Sequence, residues 1–383
     1  PPLSAVAWAS FATATNPGRH GVFGFTLPDG EYRMTFASSH SVRVPTLWDR
    51  AAIDGMRSII VNLPGTYPAQ PMSGTLVAGF VAPSLERACH PPSLAPRLAS
   101  AGYRLDVDVR LAVRDETAFL TDLDGSAAAR IDAMRWMLAE ERWSLAVLAF
   151  TEPDRLLHAR YPSPNDDTAP GSAYRRLLAR IDSFTAELAE RYPEATIMVA
   201  SDHGFAPLER YFNVNAWLRE RGHLEAEQLE AIDHRTVAFA LDPGRIYVNA
   251  QSRFARGAIP AESARSTSEL LAAELLAIRA PDGSQPIASV VHRRDAYSGP
   301  LTELGPNLVC VPARGWELKA SMRLPLISTP DALRGTHSAD DALFVSSRAS
   351  SRQIGDASLH DVGATVLAAL GVQADDVDGR SLL

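Results

Sequence analysis

Residues 195–204 read Ala-Thr-Ile-Met-Val-Ala-Ser-Asp-His-Gly, an apolar run that ends in a short polar segment. The first part predicts a buried β-strand, because its residues are mostly apolar and rich in strand-forming types. Asp202 and His203 then lie at the carboxyl end of this strand, the edge at which open parallel α/β sheets bind ligands. A carboxylate beside an imidazole at such an edge can hold a metal ion. The alternative is an Asp that caps a turn beside a solvent-exposed His.

The segments around this strand alternate between predicted helices and predicted strands. Helices are expected at residues 45–54, 126–140, 173–191 and 359–370. Further strands are expected at residues 55–62, 145–150, 307–311 and 342–345. This alternation predicts an α/β fold in which helices flank a doubly wound, mainly parallel sheet.

Between residues 242 and 299 the pattern changes to short elements that are separated by loops containing Gly and Pro. We expect a small α/β insertion or cap there, with strands at 245–249 and 287–292 and a helix at 266–278. The core would then be formed by residues 1–241 and 300–383, on either side of the insertion.

The composition argues against several classes of protein. The 383 residues carry a net charge of −8 without a clustered Lys/Arg tract, which argues against a nucleic-acid-binding surface. Because no run of eighteen apolar residues occurs, we expect no membrane-spanning segment. Cys89 and Cys310 are far apart and form no CxxC motif, so a disulfide framework is not expected and a reducing cytoplasm is favoured.

A second carboxylate–imidazole pair follows the predicted strand at 145–150. Asp154 and His158 are four residues apart, so both lie on one face if this segment is helical. A carboxylate and a neutral imidazole are suitable ligands for zinc or manganese. The alternative is an ordinary helix start, with Pro153 near the first position and Asp154 in the first turn.

A third candidate ligand is His337, in a predicted polar turn at residues 335–338. A single loop histidine is usually a surface residue. Together with the two carboxylate–imidazole pairs, however, it gives five candidate ligands beside strands of one alternating pattern. This is nearly enough for two metal ions, and two ions about 4 Å apart clamp the attacking and leaving oxygens of a phosphoryl displacement.

Ser4 is the candidate nucleophile for such a reaction. A hydroxyl that binds a metal ion loses its proton more readily and becomes a competent attacking group. If Ser4 begins a helix, the free N–H groups of the first turn would also hold a phosphate oxygen. Ser4 could instead be only an N-cap, and the two roles are compatible.

These segments together resemble the alkaline phosphatase superfamily, and most closely its type I phosphodiesterase/nucleotide pyrophosphatase family in the prokaryotic form. The resemblance covers almost the whole chain in the expected order. The matching segments are Ser4–Phe11, Asn16-Pro-Gly-Arg-His-Gly21, Asn62–Pro68, Asp154-Arg-Leu-Leu-His158, Ser201-Asp-His-Gly-Phe205, Asn213–Leu218, Gly244–Asn249, Gly335-Thr-His337 and Asp361–Thr365.

The resemblance implies an alkaline phosphatase-like fold and a site with two divalent metal ions, for which zinc is favoured and manganese is the alternative. It implies that Asp154, His158 and His337 hold one ion. Asp202 and His203 would hold the other, together with the nucleophile and an Asp near the N-terminus. Ser4 would form a covalent phospho-enzyme that water then hydrolyses, and the partner would be a small-molecule phosphate ester.

The chain departs from the family pattern at three places. The early Asp belongs on a strand that would precede Pro1, so we expect this sequence to lack one metal ligand and one core strand. Ser4 stands where nucleotide pyrophosphatases commonly have Thr, although either hydroxyl can attack phosphorus. Phe25 stands where they have an Asn that binds the phosphate, which removes an oxyanion donor and leaves the substrate class open.

Asn62 and Tyr67 follow the predicted strand at 55–62 and are candidates for lining the substrate cleft. The alternative is a structural turn built by the neighbouring Pro and Gly residues.

The function that we predict from the sequence is metal-dependent hydrolysis of phosphodiester or pyrophosphate bonds. Two alternatives remain open. One is a phosphomonoesterase or phosphomutase of the same superfamily, and the other is a catalytically silent relative that only binds its ligand.

Overall fold

Helices and strands alternate along the chain in the computed structural model, which describes residues 2–163, 165–348 and 355–383. The strands are β1 (Thr26–Pro28), β2 (Met34–Phe36), β3 (Ser58–Leu63), β4 (Gly74–Ala78), β5 (Cys89–His90), β6 (Leu145–Leu148), β7 (Met198–Ala200), β8 (Gly204–Asn213), β9 (Ala238–Leu241), β10 (Arg245–Val248), β11 (Ile287–His292), β12 (Leu308–Pro312), β13 (Gly315–Lys319), β14 (Ile327–Ser328), β15 (Gly335–Ser338) and β16 (Phe344–Ser346).

The α-helices are α1 (Ser4–Thr13), α2 (Pro17–His20), α3 (Leu47–Ile53), α4 (Leu85–Ala88), α5 (Leu94–Ser100), α6 (Leu111–Arg114), α7 (Glu116–Glu140), α8 (Glu152–Arg160), α9 (Ala169–Arg191), α10 (Val214–Glu220), α11 (Ala264–Leu276), α12 (Arg293–Ala296) and α13 (Leu359–Leu370). Short 3₁₀ turns lie at Ser39–Ser41, Leu229–Ala231, Ala261–Ser263 and Thr302–Leu304. Within the described residues, no helix has the length and apolar character needed to cross a membrane.

Local capping signals explain where several helices begin and end. α7 begins at Glu116, earlier than the sequence predicts, because the side chain of Asp115 accepts a hydrogen bond from the N–H of Ala118. α13 starts with a capping box between Ser358 and Asp361, and it ends at Gly371, whose φ of 73° is left-handed. The predicted helix at 359–370 and its glycine C-cap are therefore confirmed.

The contacts divide the chain into two units. Unit 1 contains residues 1–6, 16–37 and 205–339, and unit 2 contains residues 7–15, 38–204 and 340–383. The segment 242–299 falls within unit 1, and its description as an insertion into a core stays a prediction.

The main sheet of unit 2 has the strand order β5-β4-β3-β6. β3 pairs in parallel with both β4 and β6, and every residue of β3 and β4 is buried. Ile60 faces a cluster built from α1, α3 and α13, whereas Ile59 faces a cluster built from α5, α7 and α9. Helices therefore cover both faces of parallel strands, which is the predicted doubly wound arrangement.

The prediction that residues 342–345 belong to the main parallel sheet is wrong. β7 lies in a second, two-stranded sheet of unit 2. It pairs antiparallel with β16, and the Ser201 and Leu343 backbones continue the pairing with an N–H···O bond of 2.9 Å. The side chain of Ser201 also accepts a bond from the Leu343 N–H at 2.7 Å. These bonds fix the carboxyl end of β7, immediately before Asp202.

Unit 1 contains an antiparallel sheet with the order β11-β12-β10-β9. The alternating pattern predicts that residues 307–311 belong to the main parallel sheet. This prediction is wrong, because β12 pairs with β10 and β11. A short apolar run is compatible with a buried strand of either kind, so its pattern cannot choose the partner. In a separate sheet of unit 1, β8 lies between β13 and β14 and also pairs with β15.

Candidate metal centre

Asp154 and His158 lie on α8, which begins shortly after β6 ends. Pro153 occupies the first turn, where its missing N–H leaves no hydrogen bond unmade. Four residues of helix bring the two side chains to the same face, so that Asp154 Oδ1 is 3.6 Å from His158 Nε2. The predicted helical spacing of this pair is therefore confirmed.

Asp202 and His203 approach the same place from the carboxyl end of β7. His203 Nε2 lies 3.3 Å from Asp202 Oδ2 and 3.9 Å from Asp154 Oδ1. His203 is almost fully buried, whereas Asp154 and Asp202 are partly accessible. Four of the five predicted metal ligands thus converge within unit 2.

The ring of His203 is oriented by the backbone of the next residue. Its Nδ1 lies 3.1 Å from the carbonyl oxygen of Gly204, which can only accept a hydrogen bond. Nδ1 therefore carries the proton in the neutral ring, and Nε2 presents its lone pair to the two carboxylates. A proton on Nε2 or a cation must offset the repulsion between these electron-rich atoms.

The spacing of the four side chains fits a cation. Two ligand atoms on one tetrahedral zinc ion lie roughly 3.4 Å apart, given bond lengths near 2.1 Å. The Asp202–His203 separation of 3.3 Å and the Asp154–His158 separation of 3.6 Å are close to this value. Carboxylate oxygen and imidazole nitrogen are also the donor types that zinc and manganese accept.

Asp154 is also bound by the adjacent residue, Arg155. The Arg155 guanidinium donates to Asp154 Oδ2 at 3.2 Å, and it also donates to Asp106, where the shortest distance is 2.6 Å. Its carbon lies 4.4 Å from the ring centroid of Phe80. Burial disfavours the charged form of Arg155 and by itself would lower its pKa. The hydrogen bond with Asp106 and the nearby carboxylates outweigh burial, so the pKa lies above its usual value.

A buried ion pair holds the start of α8. Arg130 of α7 donates to Glu152 at 2.5 Å, and both side chains are completely buried. Ser126 donates to the same Glu152 oxygen, and Arg130 also donates to the hydroxyl of Tyr103. Burial opposes charge on Arg130, whereas Glu152 and Tyr103 raise its pKa. Removal of one partner would leave a buried charge without compensation, which is strongly destabilising. The pair therefore fixes the start of α8 against α7.

Asn62 and Tyr67 lie near the end of β3. Asn62 is buried with a φ of 60°, and its amide donates to the carbonyl of Ala149 at 2.9 Å. That bond joins the ends of β3 and β6, which favours the structural alternative for Asn62. Tyr67 is half-buried, with the guanidinium of Arg87 5.5 Å from its ring centroid. Their role in lining a substrate cleft stays a prediction.

The other two predicted residues belong to unit 1. α1 begins at Ser4, so Ser4 occupies the helix start that the sequence analysis considered. His337 lies in β15 rather than in a turn, because this segment pairs with β8. Its Nδ1 is 3.2 Å from the carbonyl oxygen of Pro2, and its ring meets that of Phe205 edge-on. As in His203, this bond leaves Nε2 as the nitrogen with the lone pair.

Four residues around the site are not predicted from the sequence: Arg155, Asp106, Arg130 and Glu152. The one local signal for Arg155 is its position next to a candidate ligand. Asp106 lies 49 positions away from Arg155 along the chain, and nothing in the local sequence pattern links the two.

Comparison with known proteins gives a family and a set of related folds. The family model described as type I phosphodiesterase/nucleotide pyrophosphatase matches residues 1–340. A search of curated protein sequences found no match.

Several solved structures share the fold at low sequence identity. Phosphonoacetate hydrolase from Sinorhizobium meliloti 1021 is 17% identical with a TM-score of 0.60, over 97% of this chain and 85% of that one. Murine ectonucleotide pyrophosphatase/phosphodiesterase 5 is 14% identical with a TM-score of 0.57, over 99% and 86%. Wild-type alkaline phosphatase PafA is 11% identical with a TM-score of 0.53, over 100% and 89%. These similarities confirm the predicted alkaline phosphatase-like α/β fold.

Proposed function

The chain belongs to the type I phosphodiesterase/nucleotide pyrophosphatase family, and on this premise we propose that it hydrolyses phosphodiester or pyrophosphate bonds at a site with two divalent metal ions. The family supports a phosphoryl-transfer hydrolase with a small-molecule substrate. The metal ions, the phospho-Ser intermediate and the bond that is cleaved are the parts that we propose.

The observation that carries this proposal is the convergence of Asp154, His158, Asp202 and His203. Four ligand-type side chains from two separate chain segments meet with spacings that suit a cation. A structural role would not require two imidazoles and two carboxylates at one partly accessible place. The proposed ligands of one ion are Asp154, His158 and His337, and those of the other include Asp202 and His203.

In the proposed mechanism Ser4 is the nucleophile. Bound divalent ions would offset negative charge on the phosphoryl oxygens and lower the pKa of the attacking hydroxyl. Ser4 would lose its proton to solvent, and its Oγ would form a bond to phosphorus while the leaving oxygen departs with the bonding electron pair. Water would then attack phosphorus in the Ser4-linked ester, the Ser4 oxygen would leave with the bonding electron pair and regain a proton, and a phosphate monoester would be released. The N–H groups in the first turn of α1 would orient a phosphoryl oxygen throughout.

A second candidate function is hydrolysis or transfer of phosphate monoesters. It is favoured by Ser4, the residue type found in alkaline phosphatases, and by Phe25 at the position of a phosphate-binding Asn. Rates with 4-nitrophenyl phosphate and bis(4-nitrophenyl) phosphate separate the two functions. We expect kcat/KM to be higher for the diester, and a higher value for the monoester would support the second candidate.

Substitution of a proposed ligand tests the assignment. We expect Asp202→Ala in the full-length protein to lower kcat on bis(4-nitrophenyl) phosphate below about a thousandth of the wild-type value, because one ion loses a charged ligand. Asp132→Ala is a matched control, since Asp132 is mostly exposed and pairs with the partly exposed Arg135 one turn along the same helix. A near-normal rate for Asp202→Ala would refute the proposed site. Absence of bound metal in the wild-type protein, measured by elemental analysis, would instead support a silent binding relative.

A further inference from the structure

The two oxygens of Asp154 have different surroundings. Oδ1 is the oxygen that lies near the imidazoles of His158 and His203, at 3.6 and 3.9 Å. Oδ2 accepts a hydrogen bond from Nη1 of Arg155 at 3.2 Å. The carboxylate therefore has a defined orientation, with one oxygen directed to the candidate metal ligands and the other to a guanidinium.

The contact between Asp154 and Arg155 needs a further restraint, because adjacent residues on a helix do not face each other. Asp106 supplies it from the segment between α5 and α6. Its carboxylate accepts from Nη2 of Arg155 at 2.6 Å and from Nε at 3.1 and 3.2 Å. This two-nitrogen contact fixes the plane of the guanidinium as well as its position.

Phe80 restrains the other side of Arg155. The guanidinium carbon lies 4.4 Å from the centroid of the Phe80 ring, which is within the range of a cation–π contact. Only 15% of the Arg155 side chain is exposed. A side chain this buried and this restrained has little freedom to leave Asp154, so it can set the direction of the carboxylate.

We propose that Arg155, held by Asp106 and Phe80, is a positioning residue that directs Asp154 Oδ1 towards the metal ion. This inference rests on the proposed function, since it takes Asp154 as a metal ligand. It adds a role for three residues that the metal assignment does not use. Partners behind a metal ligand fix its geometry, and their loss typically weakens metal affinity 10–100-fold.

The shape of the guanidinium is part of the proposal. Arg155 contacts Asp106 through two nitrogens and Asp154 through a third, and a lysine ammonium cannot reproduce this planar arrangement. Arg155→Lys keeps the positive charge but loses the geometry. We therefore expect it to weaken metal binding nearly as much as Arg155→Met, which a purely electrostatic role would not do.

The test measures zinc affinity by competition with a chromophoric chelator, in the absence of substrate. We expect Arg155→Met to bind one zinc ion 10–100-fold more weakly than the wild type, with unchanged far-UV circular dichroism. Asp106→Asn should give a similar loss. The double variant should bind little more weakly than either single one, because both act through the same contact. The visible spectrum of bound cobalt should shift in each variant, because the ligand geometry changes.

Arg160→Met is the matched control. Arg160 lies on the same helix and pairs with Glu116, so its loss perturbs α8 without removing a contact to Asp154. We expect its zinc affinity to stay within about twofold of the wild-type value, with lower thermal stability. If Arg155→Met does not fold, Asp106→Asn and Arg155→Lys carry the same test.

The outcomes separate this inference from the proposed function. A wild-type protein that binds neither zinc nor manganese would overturn both. A wild type that binds zinc, with unchanged affinity in Arg155→Met and Asp106→Asn, would overturn the positioning role alone. An equal loss in Arg160→Met would do the same, because it would assign the effect to the helix as a whole. Recovery of activity in Arg155→Met at high zinc concentration would support the positioning role.

Discussion

At the scale of single residues, Asp361 shows how one carboxylate can make stability depend on pH. Its two oxygens accept bonds from the N–H groups of Ser358 and Arg380, each at 2.9 Å. Burial alone would raise its pKa, but these hydrogen bonds outweigh burial and the pKa lies below its usual value. The folded state therefore favours the ionised form.

Asp361→Asn tests this effect. We expect it to lower the free energy of unfolding by about 1–2 kcal/mol at neutral pH, because the cap of α13 loses a charged acceptor. The contribution of Asp361 is complete above the unfolded pKa of about 3.9, and it disappears as the pH falls through the lower folded pKa. Urea titrations at neutral pH and near pH 3 should therefore show the two proteins converging in acid.

Asp375→Asn is the control for this measurement, because Asp375 is exposed near the end of the chain. It should leave the unfolding free energy unchanged at both pH values. A difference between wild type and Asp361→Asn that stays constant from neutral pH to about pH 3 would contradict the assignment.

Local rules predict residue contacts well when the partners share one element. The Asp154–His158 pair could be predicted because four residues make about one helical turn. The contacts of Arg155 with Asp106 and of Arg130 with Glu152 could not, since each joins different elements. Such pairs depend on how the elements pack, and no sequence period marks them.

At the scale of elements, α1 and α13 pack with almost no space between their backbones. A Cβ atom added at Gly363 would lie 2.4 Å from the carbonyl oxygen of Phe11. Since that neighbour is backbone, a larger residue must push the two helices apart. α1 also begins at Ser4, so the packing of α13 bears on the helix that carries the proposed nucleophile.

We expect Gly363→Ala to lower the free energy of unfolding by about 1–3 kcal/mol, measured by urea denaturation. It should also lower kcat on the aryl diester about tenfold, because small displacements of a reacting group are costly.

Gly125→Ala is the matched control. This exposed glycine of α7 has open space around its Cβ position, so Ala should stabilise the helix by about 0.5–1 kcal/mol. If Gly363→Ala has the same free energy of unfolding as the wild type, α1 and α13 can move apart without an energetic cost, which would contradict this prediction.

Whether a long segment forms a helix or a strand could be predicted more reliably than which strands pair with each other. The helices at 359–370 and 173–191 are present because apolar spacing and caps act within the segment itself. β12 and β15 were assigned wrongly, since their place depends on strands distant in sequence. Predicting the partners of a strand therefore requires tertiary information, whereas predicting a helix does not.

At the scale of the whole molecule, the proposed ligands come from segments that are far apart along the chain. Asp154 and His158 follow β6, whereas Asp202 and His203 follow β7. An unfolded chain cannot hold these groups together, so a metal ion should bind the native state far more tightly than the unfolded state. Metal binding must then contribute to stability as well as to activity.

Zinc should accordingly raise the melting temperature, and a chelator should reverse the effect. At a free concentration one hundred times Kd, each site should add about 2.7 kcal/mol to the free energy of unfolding. His158→Ala should remove most of the increase for one ion, because it deletes a ligand that lies 3.6 Å from Asp154.

His40→Ala is the control, since His40 is exposed in a short 3₁₀ turn. Equal melting temperatures with zinc and with chelator would mean that these side chains meet without binding an ion, and the hydrolytic mechanism would then lose its basis.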